Sequence, residues 1–132
     1  MLSFLVTGTA QAQLAPPSLA VAARSWYLYD FSAQLELTSS NADERVEPAS
    51  LTKLMTAYLA FAALKQGTLK LTQTLPVSER AWKTQGSRMF VEPNKPVTVD
   101  ELLHGVIIQS GNDACIVLAE AIGGTEDGFA QM

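Results

Sequence analysis

The pattern of apolar and polar positions divides the chain into a strand-rich front and a helical remainder. Arg24 to Phe31 is rich in β-formers (Trp26, Tyr27, Leu28, Tyr29), and Gln34 to Thr38 alternates apolar with polar side chains. Asp30-Phe31-Ser32-Ala33 carries turn chemistry between them, so the pair predicts a β-hairpin. Ser39 to Glu47 is polar and predicts a loop. From Pro48 the period becomes helical. Leu51, Leu54, Met55, Tyr58, Leu59 and Ala62 recur three and four apart, Pro48 suits a first turn, and Gly67 suits a C-cap. That stripe predicts the face a long helix buries on a core. Residues 68–97 hold short extended pieces and turns (Leu75-Pro76-Val77, Gly86-Ser87, Pro93-Asn94, Pro96) and predict no long element.

Two further helices follow. Thr98-Val99-Asp100-Glu101 is a capping box, with Leu102, Leu103, Val106 and Ile107 as the apolar face and an end near Ser110-Gly111. Asn112 or Asp113 is the expected cap of the next helix, whose face is Ile116, Val117, Ala121 and Ile122 and whose end is Gly123-Gly124. Thr125 to Met132 reads as the first two turns of another helix. A helix that short is marginal without further chain, so the expectation is that the 132 residues are part of a longer protein.

Composition narrows the class. A chain of 132 residues suits one domain, and 48% hydrophobic with 17% charged residues is ordinary for a globular protein. A net charge of −4 without any Lys/Arg cluster argues against nucleic acid as a partner. No apolar run approaches the ~20 residues of a membrane-spanning helix. Near the start, Leu2 to Val6 is apolar and Ala10-Gln11-Ala12 is an A-x-A cleavage motif ahead of Gln13. An export signal also needs a basic front and an apolar core of about 7–15 residues, and no Lys or Arg precedes Arg24. A flexible tail is one reading. A residual export signal over residues 1–12, with its front missing, is the expectation carried forward. Cys115 is the sole cysteine, so no intramolecular disulfide forms.

The candidate chemistry begins with Ser50 and Lys53, one turn apart on one face of a helix start. A serine hydroxyl is a weak nucleophile that needs an adjacent base, and a lysine serves once its amine is neutral. Unpaired N–H groups at the helix start would favour negative charge developing there. The plain alternative is a capping serine and a commonplace lysine. Ser50-Leu51-Thr52-Lys53 is, however, the only Ser-x-x-Lys in the chain. A second candidate is the corner Ser110-Gly111-Asn112, where a hydroxyl can pass a proton to a leaving group and an amide can hold a carbonyl. Here too the residues could simply cap helices, and Ser39-Ser40-Asn41 matches the same weak pattern. His104 is the only histidine and the only possible base for a Ser-His-Asp triad; a core or surface histidine is the other reading. One histidine and one cysteine cannot supply a zinc site of the usual kinds.

These motifs resemble those of the low-molecular-mass penicillin-binding proteins, the D-alanyl-D-alanine carboxypeptidases. The resemblance rests on Asn41-Ala42-Asp43, Pro48 to Thr56, Gly86-Ser87-Arg88-Met89-Phe90 and Gln109 to Cys115, in the family's order. It runs from about Pro17 to Met132. It implies an α+β fold of the penicillin-binding-protein and serine β-lactamase type, truncated here. Residues 13–132 would form the N-terminal part of one transpeptidase-like catalytic domain, with sheet supplied only by the first hairpin and with Ser50 and Ser110 on facing edges of a helical region. It further implies an exported, periplasmic enzyme that trims the terminal D-alanine from peptidoglycan stem peptides ending in D-Ala-D-Ala. Ser50 would be the nucleophile, Lys53 the general base, Ser110 the proton relay and Asn112 the residue that orients substrate. β-Lactams would acylate the same serine, and no metal or organic cofactor is implied.

The family's third motif, Lys-Thr-Gly on a core strand, does not occur in these residues. Lys83-Thr84-Gln85-Gly86 is only a decoy, with an inserted glutamine and a position ahead of Ser110. Loss of one oxyanion donor alone costs ~10²–10³ in rate, so the 132 residues by themselves are expected to be inactive. They would also expose the helix faces meant to cover the missing strands, so they are expected to be poorly soluble or partly unfolded alone. The C-terminal amphipathic helix by which many members meet the membrane does not occur either. The alternatives are a serine β-lactamase, which Gly111 disfavours because class A enzymes usually carry an acidic residue there, and a non-catalytic peptidoglycan-binding fragment. Cys115 lies one turn beyond Asn112, so its thiol is either near the site or a small core residue.

Overall fold

The computed structural model describes residues 20–132, and the A-x-A motif at residues 10–12 lies outside them. The chain divides into two compact units, one running to Val46 and the other spanning Glu47–Met132. In the first unit, β1 (Trp26–Asp30) pairs antiparallel with β2 (Leu35–Ser40). The turn forms because Asp30 Oδ1 accepts from the backbone N–H of Ser32 (2.8 Å) and Ala33 (2.9 Å). Register shifts between Leu28 and Tyr29, with Leu28 opposite Thr38 and Tyr29 opposite Glu36, so Leu37 is the extra residue of a bulge. The second strand runs on through Ser39 and Ser40, which the polar composition had assigned to a loop.

The second unit is mostly helical. A 3₁₀ turn (Ala49–Thr52) leads into α1 (Lys53–Gln66), followed by β3 (Thr74–Leu75), α2 (Glu79–Trp82), β4 (Val97–Thr98), α3 (Val99–Gln109), α4 (Asn112–Gly123) and α5 (Glu126–Ala130). Gly67 ends α1 in the left-handed conformation (φ 77°), as its position suggests. The antiparallel pair β3–β4, with Thr74 opposite Thr98 and Leu75 opposite Val97, corrects the expectation that the hairpin is the only sheet. A ladder two residues long is too short to show a period of two.

The face that α1 buries is also a correction. Thr56, Ala60 and Ala63 are buried, whereas Leu54 is 70% and Tyr58 66% exposed, with Leu51, Met55 and Phe61 exposed beside them. Both sides of α1 carry apolar residues, so spacing cannot choose between them. Small side chains let α1 approach its neighbours closely. In α3, Leu102, Leu103 and Val106 are buried as their spacing predicts, but Ile107 is exposed. In α4 the buried residues include Ala114, Ile116, Val117, Leu118 and Ala119, while Ala121 is exposed.

The capping box at α3 is fully formed. Thr98 Oγ1 accepts from Glu101 N (3.2 Å), and Glu101 Oε2 accepts from Thr98 N (2.8 Å) and from the Thr98 hydroxyl (2.7 Å). These bonds, the backbone one first, hold the Glu101 carboxyl below its ordinary pKa. The next N–H groups are taken by the preceding turn: Val99 N donates to Gln73 O (2.9 Å) and Asp100 N to Leu71 O (3.1 Å). Ser78 caps α2 and ties it to α4, accepting from Ala81 N (3.0 Å) and donating to Glu120 Oε1 (2.9 Å). Among the described residues no helix is long and apolar enough to cross a membrane. Because the Thr98 hydroxyl serves the box in both directions, Thr98→Ala should cost about 1 kcal/mol and Thr98→Ser much less; urea unfolding of the two variants checks this.

Candidate active site

Ser50 is not a helix cap. Pro48 precedes the 3₁₀ turn and Thr52 precedes α1, and neither position carries a side-chain cap. The 3₁₀ conformation places residues three apart almost in line, which brings Ser50 Oγ within 3.4 Å of Lys53 Nζ. The same amine donates to Ser110 Oγ at 2.9 Å across 57 residues of chain. Among the described residues no carboxylate pairs with Lys53. Its neighbours are two hydroxyls, one from each sequence motif.

Both serines are placed by strained backbone. Ala49, immediately before Ser50, has φ 45°, and Ser110 at the α3–α4 corner has φ 54° and ψ 38°. A side chain in this left-handed region costs roughly 1–2 kcal/mol, so the surrounding packing must hold it there. At that corner Gly111 is the cap of α4, not Asn112 or Asp113, and Gly111 N donates to Gly105 O at 2.9 Å.

Ser50 and Lys53 line two depressions at once. One, of about 480 Å³, also takes in Thr56, Arg80, Asn112 and Cys115. The other, of about 220 Å³, is walled by Leu54, Val106, Ile107 and Ser110. Ser50 and Lys53 therefore stand on a ridge, with the amide of Asn112 on one side and the hydroxyl of Ser110 on the other. Asn112 Nδ2 donates to Gln85 O at 2.7 Å. Only the NH₂ end of an amide can face a carbonyl, so Oδ1 and the second N–H stay available to a ligand.

The remaining candidates fall away from this ridge or beside it. The His104 ring lies at the surface with Nδ1 2.9 Å from Asp100 O, bonded to its own helix. Lys83 pairs with Glu79 at 3.1 Å, yet the following residues of the discounted Lys-Thr-Gln-Gly segment matter. Thr84 lines the larger depression and Gln85 supplies the carbonyl that holds Asn112. Asp113, expected from the sequence only as a possible helix cap, is 1% exposed and fully engaged with the 89–91 loop. Among the described residues no three His, Cys, Asp or Glu side chains converge to hold a metal ion.

A family model for D-alanyl-D-alanine carboxypeptidase, of the S11 peptidases, matches residues 9–132. The chain belongs to this family. Among curated relatives, the D-alanyl-D-alanine carboxypeptidase DacC of Escherichia coli K12 is 47% identical over 115 residues, covering 83% of this chain and 29% of DacC. Penicillin binding protein 5 from Haemophilus influenzae matches with a TM-score of 0.82 at 40% identity, covering 90% of this chain and 35% of that one. Penicillin-binding protein D2 from Listeria monocytogenes, in its ampicillin-bound form, matches with a TM-score of 0.73 at 25% identity over 88% of this chain and 48% of that one. The fold is thus the α+β penicillin-binding-protein type, and the chain spans about three-tenths of the length of DacC.

Cys115 is half-buried and lines the same depression as Ser50, Lys53 and Asn112. Burial pushes its thiol pKa up, Lys53 and the Thr56 hydroxyl pull it down, and Asp113 adds a smaller upward push. Since the thiolate is the reactive form, alkylation should be slower than for a free thiol near neutral pH. It should keep accelerating at alkaline pH where a free thiol has levelled off. An alkylation rate that levels off at the same pH as that of a free thiol contradicts the placement.

Proposed function

We propose that the complete protein carrying these residues is a serine-type D-Ala-D-Ala carboxypeptidase that trims peptidoglycan stem peptides through an acyl-enzyme. Residues 13–132 are then the N-terminal part of one transpeptidase-like catalytic domain; the share of its relatives that the chain spans supports its being a part. The observation that carries the proposal is the Lys53 amine within reach of both Ser50 Oγ and Ser110 Oγ.

On this reading the Lys53 amine takes the proton from Ser50 Oγ as that oxygen attacks the carbonyl between the two D-alanines. Negative charge gathers on the carbonyl oxygen. Lys53 then returns a proton to Ser110, whose own proton passes to the amine of the departing D-alanine as the C–N bond breaks. The 2.9 Å contact between Lys53 and Ser110 is the length such a relay needs. Asn112 orients the peptide through its free Oδ1 and second N–H, and water later hydrolyses the ester on Ser50. β-Lactams acylate the same serine. A Lys-Thr-Gly strand from the rest of the domain completes the oxyanion site, so the 132 residues alone do not turn over. The setting is periplasmic, with any membrane association through a C-terminal segment of the complete protein.

Covalent labelling of the complete protein by a fluorescent penicillin, together with D-alanine release from a D-Ala-D-Ala peptide, tests this reading. Ser50→Ala should abolish both, and Ser110→Ala should slow acylation by ~10²–10⁴. A label that survives Ser50→Ala, or a labelled protein that releases no D-alanine, contradicts it.

A further inference from the structure

The motif from Gln109 to Cys115 contains one residue to which it assigned no role at the site, and that residue organises the ground beneath Asn112. Asp113 follows it, in the first turn of α4, with its carboxylate buried. Asp113 Oδ1 accepts from Met89 N (3.0 Å) and Ala114 N (2.9 Å), and Oδ2 accepts from Phe90 N (2.7 Å) and Val91 N (3.1 Å). Three of these N–H groups belong to consecutive residues. They converge because Phe90 adopts a left-handed backbone (φ 64°), which turns a short loop into a concave cradle of donors. A carboxylate at a helix start adds favourable interaction with the helix dipole.

The same loop holds the neighbouring residue from the other side. Asn112 N donates to Ser87 O at 2.7 Å, and Asn112 Nδ2 donates to Gln85 O at 2.7 Å. Gly86 lies between those two carbonyls, and a Cβ there would stand only 2.7 Å from Asn112 Nδ2, at a backbone φ of 88°. The loop thus passes directly over the amide, and its far end is fastened by Asp113. Without that fastening, three N–H groups lose their acceptor and the loop is tied to the start of α4 only through the two bonds from Asn112 itself.

We propose that Asp113 is a positioning residue: by clamping the 89–91 backbone it fixes the 85–87 carbonyls that orient the Asn112 amide, and so sets the rate at which Ser50 is acylated. The kinetic half rests on the reading of Ser50 as nucleophile given above. The structural half stands without it. Misplacing an orienting group by about 1 Å can cost up to roughly a hundredfold in rate, so a tenfold to hundredfold effect is expected.

The test uses the complete protein and two variants. Asp113→Asn keeps the volume but replaces one acceptor oxygen with a donor. Gly86→Ala disturbs the amide without touching Asp113. Selective ¹⁵N labelling of asparagine reads the side-chain NH₂ of Asn112 directly. In the wild type its two protons should be well separated and one should exchange slowly; both variants should bring them together and speed exchange. Penicillin acylation should slow tenfold or more in both variants. In an Asn112→Ala background the Asp113→Asn effect should vanish. Unchanged Asn112 signals in Asp113→Asn, or an Asp113→Asn effect of the same size without Asn112, overturns the proposal. Absence of any Ser50-dependent labelling in the wild type instead overturns the enzymatic reading, and the amide signals still decide whether Asp113 positions Asn112.

Discussion

The position of α4 is the constraint on which the site depends. This helix packs against α1, α2, α3 and α5, and its buried side includes Ala114, Ile116, Val117, Leu118 and Ala119. Leu118 is among the largest side chains fully withdrawn from water, and burying a leucine contributes about 1.5–3 kcal/mol. On α1 the buried residues are Thr56, Ala60 and Ala63. Small side chains there allow the close approach that brings Lys53, at the first turn of α1, to Ser110, at the corner entering α4. A bulkier residue at Ala60 would separate the two hydroxyls that share the amine.

Three of the six non-glycine residues with positive φ among the described residues lie at the same places. Ala49 precedes Ser50, Ser110 carries the second hydroxyl, and Phe90 shapes the cradle around Asp113; all three have positive φ without being glycine. Such conformations persist only where packing over-determines them. Here the holding forces are identifiable: the Gly111 N to Gly105 O bond at the corner, the lysine bridge, and the four bonds to Asp113.

The sequence made the locally encoded features legible. The hairpin turn at Asp30 and the Thr98–Glu101 box depend on side chains acting within four residues of themselves, and the Gly67 end of α1 on a local left-handed backbone that glycine adopts freely, so the residue types reveal them. The Ser-x-x-Lys and Ser-Gly-Asn motifs were visible for the same reason, and a 3₁₀ turn instead of an α-helical start brings the first pair into line. What stayed hidden was set at long range. Apolar residues on both sides of α1 concealed which side faces the core. Asp113 looked like a helix cap because its partners lie 22 to 24 residues upstream, in a loop without periodicity. Gln85 was dismissed with its segment, since a backbone carbonyl leaves no mark on the residue type that carries it.

On the proposed mechanism one amine serves two hydroxyls, so Lys53 and Ser110 act as a unit on Ser50. The most direct measurement is the second-order rate constant for acylation of Ser50 by a β-lactam in the complete protein, its Lys53→Met and Ser110→Ala variants, and the double variant. Lys53→Met should lose about 10³-fold or more, with little further loss when Ser110→Ala is added, because residues that act together are strongly non-additive. Near wild-type acylation without the lysine, or losses that multiply as if the two sites were independent, would contradict it.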